Sequence, residues 1–217
     1  MKIKWIGHSC FLITSDKGVK VLTDPFKRDA NLTYPRASEN VDIVTISHEH
    51  HDHNDVDAVT GRPVILRGAS SKTFQDVVIR TVNAYHDDAK GKERGPNTIF
   101  CLNVSGINVC HLGDLGHQLT SGEIKSLGKV DVLLLPIGGV FTLDADEATL
   151  VWEDVKPRVT VPMHYKTDRC QWLKSSAEDF ARGKKHVRKV GSAEIDLSSN
   201  RLPFESEILI LKYAGQS

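Results

Sequence analysis

The stretch that most constrains this chain is His48-Glu49-His50-His51-Asp52-His53. Imidazole nitrogens and carboxylate oxygens crowd into six consecutive positions, whereas packed histidines ordinarily occur singly, each with its own hydrogen-bond partner. Directly before it, Val41-Asp42-Ile43-Val44-Thr45-Ile46-Ser47 is apolar and β-branched and reads as a buried strand. A strand that ends in a burst of ligand types delivers them to the rim of a sheet, where a rigid element can hold a site. With a period of two carried past the strand end, His48 and His50 are expected on one face and Glu49 and His51 on the other. Asp52 and His53 then fall on the following turn, within reach of a second, adjacent ion.

The 217 residues suit one compact α/β domain spanning 1–217. Twenty-eight basic residues balance 28 acidic ones, which disfavours a large phosphate-backbone interface and therefore nucleic acid as a partner. No apolar run is long enough to span a bilayer, so no membrane partner is expected. The N-terminal apolar run is broken by Gly7 and His8 and reads as a first strand, not an export signal. Cys10, Cys101, Cys110 and Cys170 show no C-x-x-C pairing, which argues against a structural zinc knuckle and for free thiols in a reducing cytoplasm. Cys101 and Cys110 sit in apolar runs and read as small buried hydrophobes. A homo-oligomer is compatible with all of this.

Strands are expected at Lys2–Ile6, Cys10–Thr14 and Val19–Leu22, as a meander that stops at Thr23-Asp24-Pro25. Asp24 reads equally as a turn residue or as an acceptor behind a metal-bound histidine. Lys27–Asn40 is a polar loop and a candidate rim. Asp55–Thr60 reads as a short helix, Pro63–Leu66 as a strand, Ser70–Asp76 as a short helix or turn, and Val77–Ala84 as a strand that delivers His86. A hairpin, Asn97–Val104 with Ile107–His111, delivers Gly113-Asp114. Asp131–Leu135 is an apolar strand, Leu143–Trp152 an amphipathic helix with an acidic first turn, and Arg158–Val161 a strand that delivers His164. Ser175–Gly183 is expected to be helical, and His186–Asp196 and Glu205–Lys212 to be closing strands.

His48, His50, Asp52, His53, His86, Asp114 and His164 together offer five imidazoles and two carboxylates, enough for two ions. Zn²⁺ suits this nitrogen and oxygen mixture best, and Mn²⁺, Fe²⁺ or Ni²⁺ also fit. Two divalent ions about 3.5–4 Å apart bridge one water and make it a hydroxide near neutral pH, while polarising a carbonyl or phosphoryl oxygen. The chemistry implied is hydrolysis without a protein nucleophile.

The pattern His48-x-His50-x-Asp52-His53, followed by His86, Gly113-Asp114 and His164, resembles the metallo-β-lactamase superfamily. That resemblance implies a four-layered αββα sandwich, two mixed β-sheets with helices outside. Gly7-His8-Ser9, Thr23-Asp24-Pro25, Leu135-Pro136-Ile137-Gly138-Gly139 and Pro162-Met163-His164-Tyr165 further resemble the stand-alone hydrolases related to L-ascorbate-6-phosphate lactonase. By the family pattern His48, His50 and His86 would hold one ion, Asp52, His53 and His164 the other, and Asp114 would bridge them. Asp52 would also orient the attacking water and shuttle its proton. His8 is the second candidate catalytic residue, as a positioning, substrate-facing, metal-contacting or merely structural group. His51 and His111 are expected off the metal-facing side, His117 at the surface, and His186 without a role.

The expected activity is a metal-dependent hydrolase for a small anionic molecule, with a lactone or a phosphodiester as the scissile group. A nuclease-type phosphodiesterase on the same scaffold and a non-catalytic metal-binding or sensory protein are the alternatives. Arg28, Arg36, Lys92 and Arg94 in the loops are candidates to receive a phosphate or carboxylate.

Overall fold

The computed structural model describes residues 1–38 and 40–216; Glu39, in the expected Lys27–Asn40 loop, lies outside them. Fourteen strands among the described residues form two mixed sheets that share one apolar core. The first sheet holds β1 (Lys2–Gly7), β2 (Cys10–Thr14), β3 (Lys20–Thr23), β4 (Ile43–Ile46), β5 (Val64–Arg67) and β13 (Glu194–Asp196), in the order β13-β1-β2-β3-β4-β5. The second holds β6 (Ser71–Phe74), β7 (Val77–Tyr85), β8 (Pro96–Val104), β9 (Ile107–His111), β10 (Val132–Pro136), β11 (Val159–Met163), β12 (Val187–Lys189) and β14 (Glu207–Ile210). Its order is β12-β14-β11-β10-β9-β8-β7-β6.

Strand direction explains where the ligand types end up. In the first sheet β1 and β2 are antiparallel, β2 and β3 are antiparallel, and β3, β4 and β5 are parallel. The carboxyl ends of β1, β3 and β4 therefore lie at one edge, and they deliver His8, Asp24 and the His48–His53 segment. In the second sheet β7, β9 and β11 likewise share a direction, because β8 is antiparallel to both β7 and β9 while β9, β10 and β11 are parallel. Their carboxyl ends deliver His86, Asp114 and His164.

Helices α1 (Ser121–Leu127), α2 (Ala145–Val155) and α3 (Ala177–Ala181) each start with a reciprocal capping box, at Thr120/Glu123, Asp144/Glu147 and Ser176/Asp179. α2 buries Ala145, Ala148 and Val151, one helical stripe. β10 and β11 are buried on both faces, so their sequences run apolar without alternation.

The structure departs from the sequence expectation at five places. Ser70–Asp76 contains strand β6 instead of a helix or turn, because its polar residues pair antiparallel with β7 at the sheet edge. Asp55–Thr60 forms a single 3-10 turn, Val56–Ala58. The expected closing strand His186–Asp196 is broken around Gly191, and its halves, β12 and β13, join different sheets. Helix α1 was not expected. Finally, β4 ends at Ile46, so residues 48–53 are bends and turns and do not continue a strand's alternation. All four cysteines are buried free thiols, and Cys101 and Cys110 face each other across β8 and β9 with their sulfurs 2.8 Å apart.

Candidate metal centre

Asp114 sits at the middle of the converging strand ends. Its Oδ2 lies 3.1 Å from His53 Nε2, 3.2 Å from His164 Nε2, 3.4 Å from His86 Nε2 and 3.9 Å from His48 Nε2. Around it the donors fall into two main groups, each with its donor atoms within 4.8 Å of one another. One is His48, His50 and His86; the other is Asp52, His53 and His164, joined by His8. The structure thus brings all eight residues singled out from the sequence to one place, with Asp114 between two groups of possible donors.

Asp24 resolves as the acceptor behind the histidines. Its Oδ1 accepts the Ser47 backbone N–H at 2.8 Å, and its Oδ2 accepts the Ser47 hydroxyl at 2.5 Å and His53 Nδ1–H at 2.9 Å. With its proton given to Asp24, Ser47 Oγ accepts from His48 Nδ1 at 2.9 Å. One buried carboxylate therefore sets the tautomer of two imidazoles, one in each group, and turns both Nε2 atoms inward. Asp24 also neighbours His48 and His53 closely enough to form a third donor group, but both its oxygens are already engaged.

His8 is fully buried, with Nε2 3.2 Å from Asp52 Oδ2 and its ring 4.0 Å from that of His164. Its carbonyl also accepts the His164 backbone N–H at 3.2 Å, tying the ends of β1 and β11 together. His8, Asp24 and His164 all adopt left-handed backbone conformations, with φ of 53°, 37° and 48°. Non-glycine residues seldom sit there, and such strain gathers at functional sites.

Gly113 lets Asp114 reach its position. A Cβ on Gly113 would lie 2.4 Å from Asn97 Oδ1 and 2.5 Å from Ser47 Cβ, and its φ is +57°. Asn97, which the sequence reading did not single out, bridges the turn: Nδ2–H donates to the Leu112 carbonyl at 2.9 Å and Oδ1 accepts the Asp114 N–H at 3.0 Å.

The electrostatics match a cation site. Burial drives His48 down to about 3 and, together with His164, drives His8 down to about 4. Burial also lowers His50. Burial works to raise Asp52, yet His53 and His8 hold it far below the carboxylate range. Asp114 is likewise held well below its ordinary value against its burial, by His164 and His53. Burial would lower His53, but Asp114 and Asp52 raise it well above the usual imidazole value. Ionised carboxylates thus stand beside His48, His50 and His8, which burial keeps neutral, while His53 holds a proton against Asp114 that a divalent ion would displace. His48 Nε2, His53 Nε2, His164 Nε2 and Asp114 Oδ1 are buried without a hydrogen-bond partner among the described residues. Four buried, inward-facing polar atoms without a partner are costly in one place unless something satisfies them. The donor set therefore fits a metal.

The remaining histidines stand outside the donor groups, though His51 lines the cavity above them. His111 is buried behind the site, where Nε2–H donates to the Ser9 carbonyl and Nδ1 accepts the Gly113 N–H. His51 is exposed beside Asp29, at 3.4 Å. His117 Nε2 accepts the Tyr85 N–H, and His186 pairs with Glu205 at the surface. Over the two donor groups opens a cavity of about 360 Å³, lined by His50, Asp52, His86 and Asp114 and walled by Asp29, Arg94, Phe141 and Trp172. Asp29 lies in the Lys27–Asn40 loop expected as a rim, whereas Trp172 had no sequence signal, because only the fold carries it there. No helix among the described residues is long and apolar enough to cross a membrane.

A family profile described as a β-lactamase superfamily domain matches residues 2–164, a span that contains every candidate donor. A UPF0173 protein of Pyrococcus furiosus is 32% identical over 213 residues, covering 87% of this chain and 91% of that protein. A UPF0173 metal-dependent hydrolase of Methanosarcina mazei is 31% identical over 90% of this chain and 93% of its own length. The crystal structure of a metallo-β-lactamase superfamily protein from Thermotoga maritima matches with a TM-score of 0.82 and 32% identity, covering 98% of both chains.

Proposed function

This chain belongs to the β-lactamase superfamily, in its UPF0173 family, and from that membership we propose that it is a metal-dependent hydrolase of a small anionic substrate, with a lactone or phosphodiester as the scissile group. The observation that carries the reading is the convergence of two donor groups on Asp114, with four buried polar atoms left unpartnered, beneath a cavity of about 360 Å³. His48, His50 and His86 would hold one ion, Asp52, His53 and His164 the other, and Asp114 would serve both. Zn²⁺ suits these donors best, with Mn²⁺, Fe²⁺ or Ni²⁺ as further candidates. When bound, a pair of divalent ions supplies a water acidic enough to ionise near neutral pH and polarises the oxygen of the scissile group.

The chain's own residues do the rest. Asp52 is an ionised carboxylate, so His8 must be the donor in their 3.2 Å contact, and His8 fixes the carboxylate in one orientation. Held this way, Asp52 can orient a nucleophilic water and accept its proton. With Nε2–H committed to Asp52, His8 acts here as a positioning residue and not as a ligand. Through the hydrogen bonds it receives, Asp24 engages the Nδ1 side of His53 directly and of His48 through Ser47, and so turns their Nε2 atoms inward, toward where an ion would take the place of any Nε2 proton. The cavity's volume supports a small-molecule substrate. The lactone option draws support from the Gly7-His8-Ser9 and Thr23-Asp24-Pro25 segments, which resemble those of lactonase-type relatives and stand here at the site itself. Four free buried thiols favour a cytoplasmic setting.

The test measures bound metal and turnover of a lactone panel and of bis-p-nitrophenyl phosphate for wild type, His48→Ala and Asp52→Ala. Turnover that falls at least 100-fold in both variants supports the reading. Equal activity in all three proteins overturns it.

A further inference from the structure

Among the described residues, Arg94 is the one lysine or arginine that lines the cavity over the donor groups. Its guanidinium sits over the Phe141 ring, with Cζ 3.9 Å from the ring centroid, and Phe141 in turn packs against Trp172, 5.4 Å between centroids. No carboxylate among the described residues pairs with it, whereas Arg67, for one, pairs with Glu49. A cation–π contact engages the charge without consuming the guanidinium's N–H donors, which stay available to an acceptor in the cavity.

Two devices hold this arrangement in place. The Asp87 carboxylate, immediately after His86, accepts the backbone N–H of Gly91 at 2.8 Å, of Glu93 at 3.1 Å and of Arg94 at 2.7 Å. The His86 N–H also donates to the Gly95 carbonyl at 3.1 Å, so the loop that carries Arg94 is tied at both ends to a candidate ligand. On the other side, Phe141 projects from a tight turn in which its N–H donates to the Gly139 carbonyl at 2.8 Å. Val140 within that turn has φ of 68°, an outlier for a β-branched residue. Strain of this kind, beside a cavity, marks a segment held for a purpose.

The cavity is also electrically polarised. Asp29 stands in its wall, with its carboxylate accepting the N–H groups of Asn31 and Leu32. An anionic substituent is repelled there and attracted to Arg94.

We infer that Arg94, held over Phe141 and positioned by Asp87, is the receptor for a non-reacting oxyanion of the substrate, a carboxylate or a phosphate. The ester or lactone linkage then lies toward Asp114 and Asp52. This inference rests on the hydrolytic reading of the same site, and it narrows the substrate to molecules that carry a terminal anion beside the scissile bond. Arg94 would grip the anion through charge-assisted N–H bonds, for which loss of the donor weakens binding by about 10- to 100-fold.

The experiment compares p-nitrophenyl hydrogen glutarate, which bears a free carboxylate, with neutral p-nitrophenyl acetate. Wild type, Arg94→Ala, Arg94→Lys and Asp87→Asn are assayed at matched metal content. In Arg94→Ala the ratio of kcat/KM for the anionic ester to that for the neutral ester is expected to fall about 10- to 100-fold, mainly through KM for the anionic ester. Arg94→Lys recovers part of the ratio, and Asp87→Asn shifts it in the same direction as Arg94→Ala by a smaller factor. Calorimetric titration with glutarate and, separately, with glycerol 1-phosphate gives a readout independent of turnover. Each should bind wild type more tightly than Arg94→Ala, and the larger difference identifies carboxylate or phosphate as the preferred anion. An unchanged ratio together with equal calorimetric affinities overturns the inference. Should wild type cleave neither ester, the hydrolytic reading loses its support, while the calorimetric difference still decides the role of Arg94.

Discussion

Replacing Asp24 by Asn tests how the site is organised, because the change is nearly isosteric and acts on one hydrogen-bond hub. Asp24 receives three donors: Ser47 N–H at 2.8 Å, Ser47 Oγ–H at 2.5 Å and His53 Nδ1–H at 2.9 Å. An asparagine retains one acceptor oxygen, which the Ser47 backbone N–H can keep. Its amide NH₂ then confronts two donors, the Ser47 hydroxyl and His53 Nδ1–H. Relief requires His53 to move its proton to Nε2, the atom that faces Asp114 Oδ2 at 3.1 Å, and requires Ser47 to release His48 Nδ1. One ligand in each group thereby loses its correct tautomer. Loss of such a supporting contact typically weakens metal affinity about 10- to 100-fold, or about 1.4–2.8 kcal/mol. Asp24→Ala goes further and strands all three donors in a buried site, at about 1–3 kcal/mol each, so that variant should be markedly less stable. The assay is chelator competition for Zn²⁺ on wild type and Asp24→Asn, with circular dichroism to establish that the variant is folded. A folded Asp24→Asn with wild-type affinity would refute the assignment of Asp24 as the group that sets these tautomers.

Gly113→Ala should destabilise the fold by about 2–4 kcal/mol, since its Cβ meets Asn97 and Ser47 at a left-handed φ, and urea unfolding measures it. Asp131 is held below the usual carboxylate range: burial opposes this, but Lys129 and two N–H groups of Asn108 prevail. Its contribution is therefore present above the unfolded value of about 3.9 and lost as pH falls through the folded one. Wild type should exceed Asp131→Asn in stability at pH 7, and the gap should close in acid. Zn²⁺ at about 1,000 times its Kd should stabilise the protein by about 4 kcal/mol, raising Tm by about 10 °C in calorimetry, and a chelator should reverse it.

The cluster of candidate donors was legible in the sequence because each follows an apolar run that ends abruptly, as at Ile46, Ala84, Leu112 and Met163. Edge position reduces to strand direction, and strand direction follows from hairpins and crossovers. His48 and His50 fall in one group of possible donors and Asp52 and His53 in another, although the strand alternation that suggested such a grouping ends at Ile46. Asp24 stayed ambiguous because its partners Ser47 and His53 are 23 and 29 residues away and meet it only through parallel pairing of β3 with β4. Strand β6 escaped notice because Ser-Lys-Thr-Phe has no strand character of its own and takes its form from β7. Helix α1 is seven residues long and contains Gly122, so periodicity is silent there, yet the Thr120-x-x-Glu123 capping box was available as a signal. Of four candidate basic residues in the loops, only Arg94 reaches the cavity wall. Nothing local distinguishes it from Arg28, Arg36 or Lys92; the Asp87-centred loop does, and that loop is a tertiary feature.

The central claim is that two donor groups, meeting at Asp114, each hold an ion. Metal analysis by mass spectrometry on wild type, His86→Ala and His164→Ala, all purified in the presence of Zn²⁺ and shown to be folded, tests it most directly. His86 belongs to one group only and His164 to the other. The account predicts two ions per chain in wild type and one in each variant. One ion per chain in wild type, lost entirely in both variants, would contradict it.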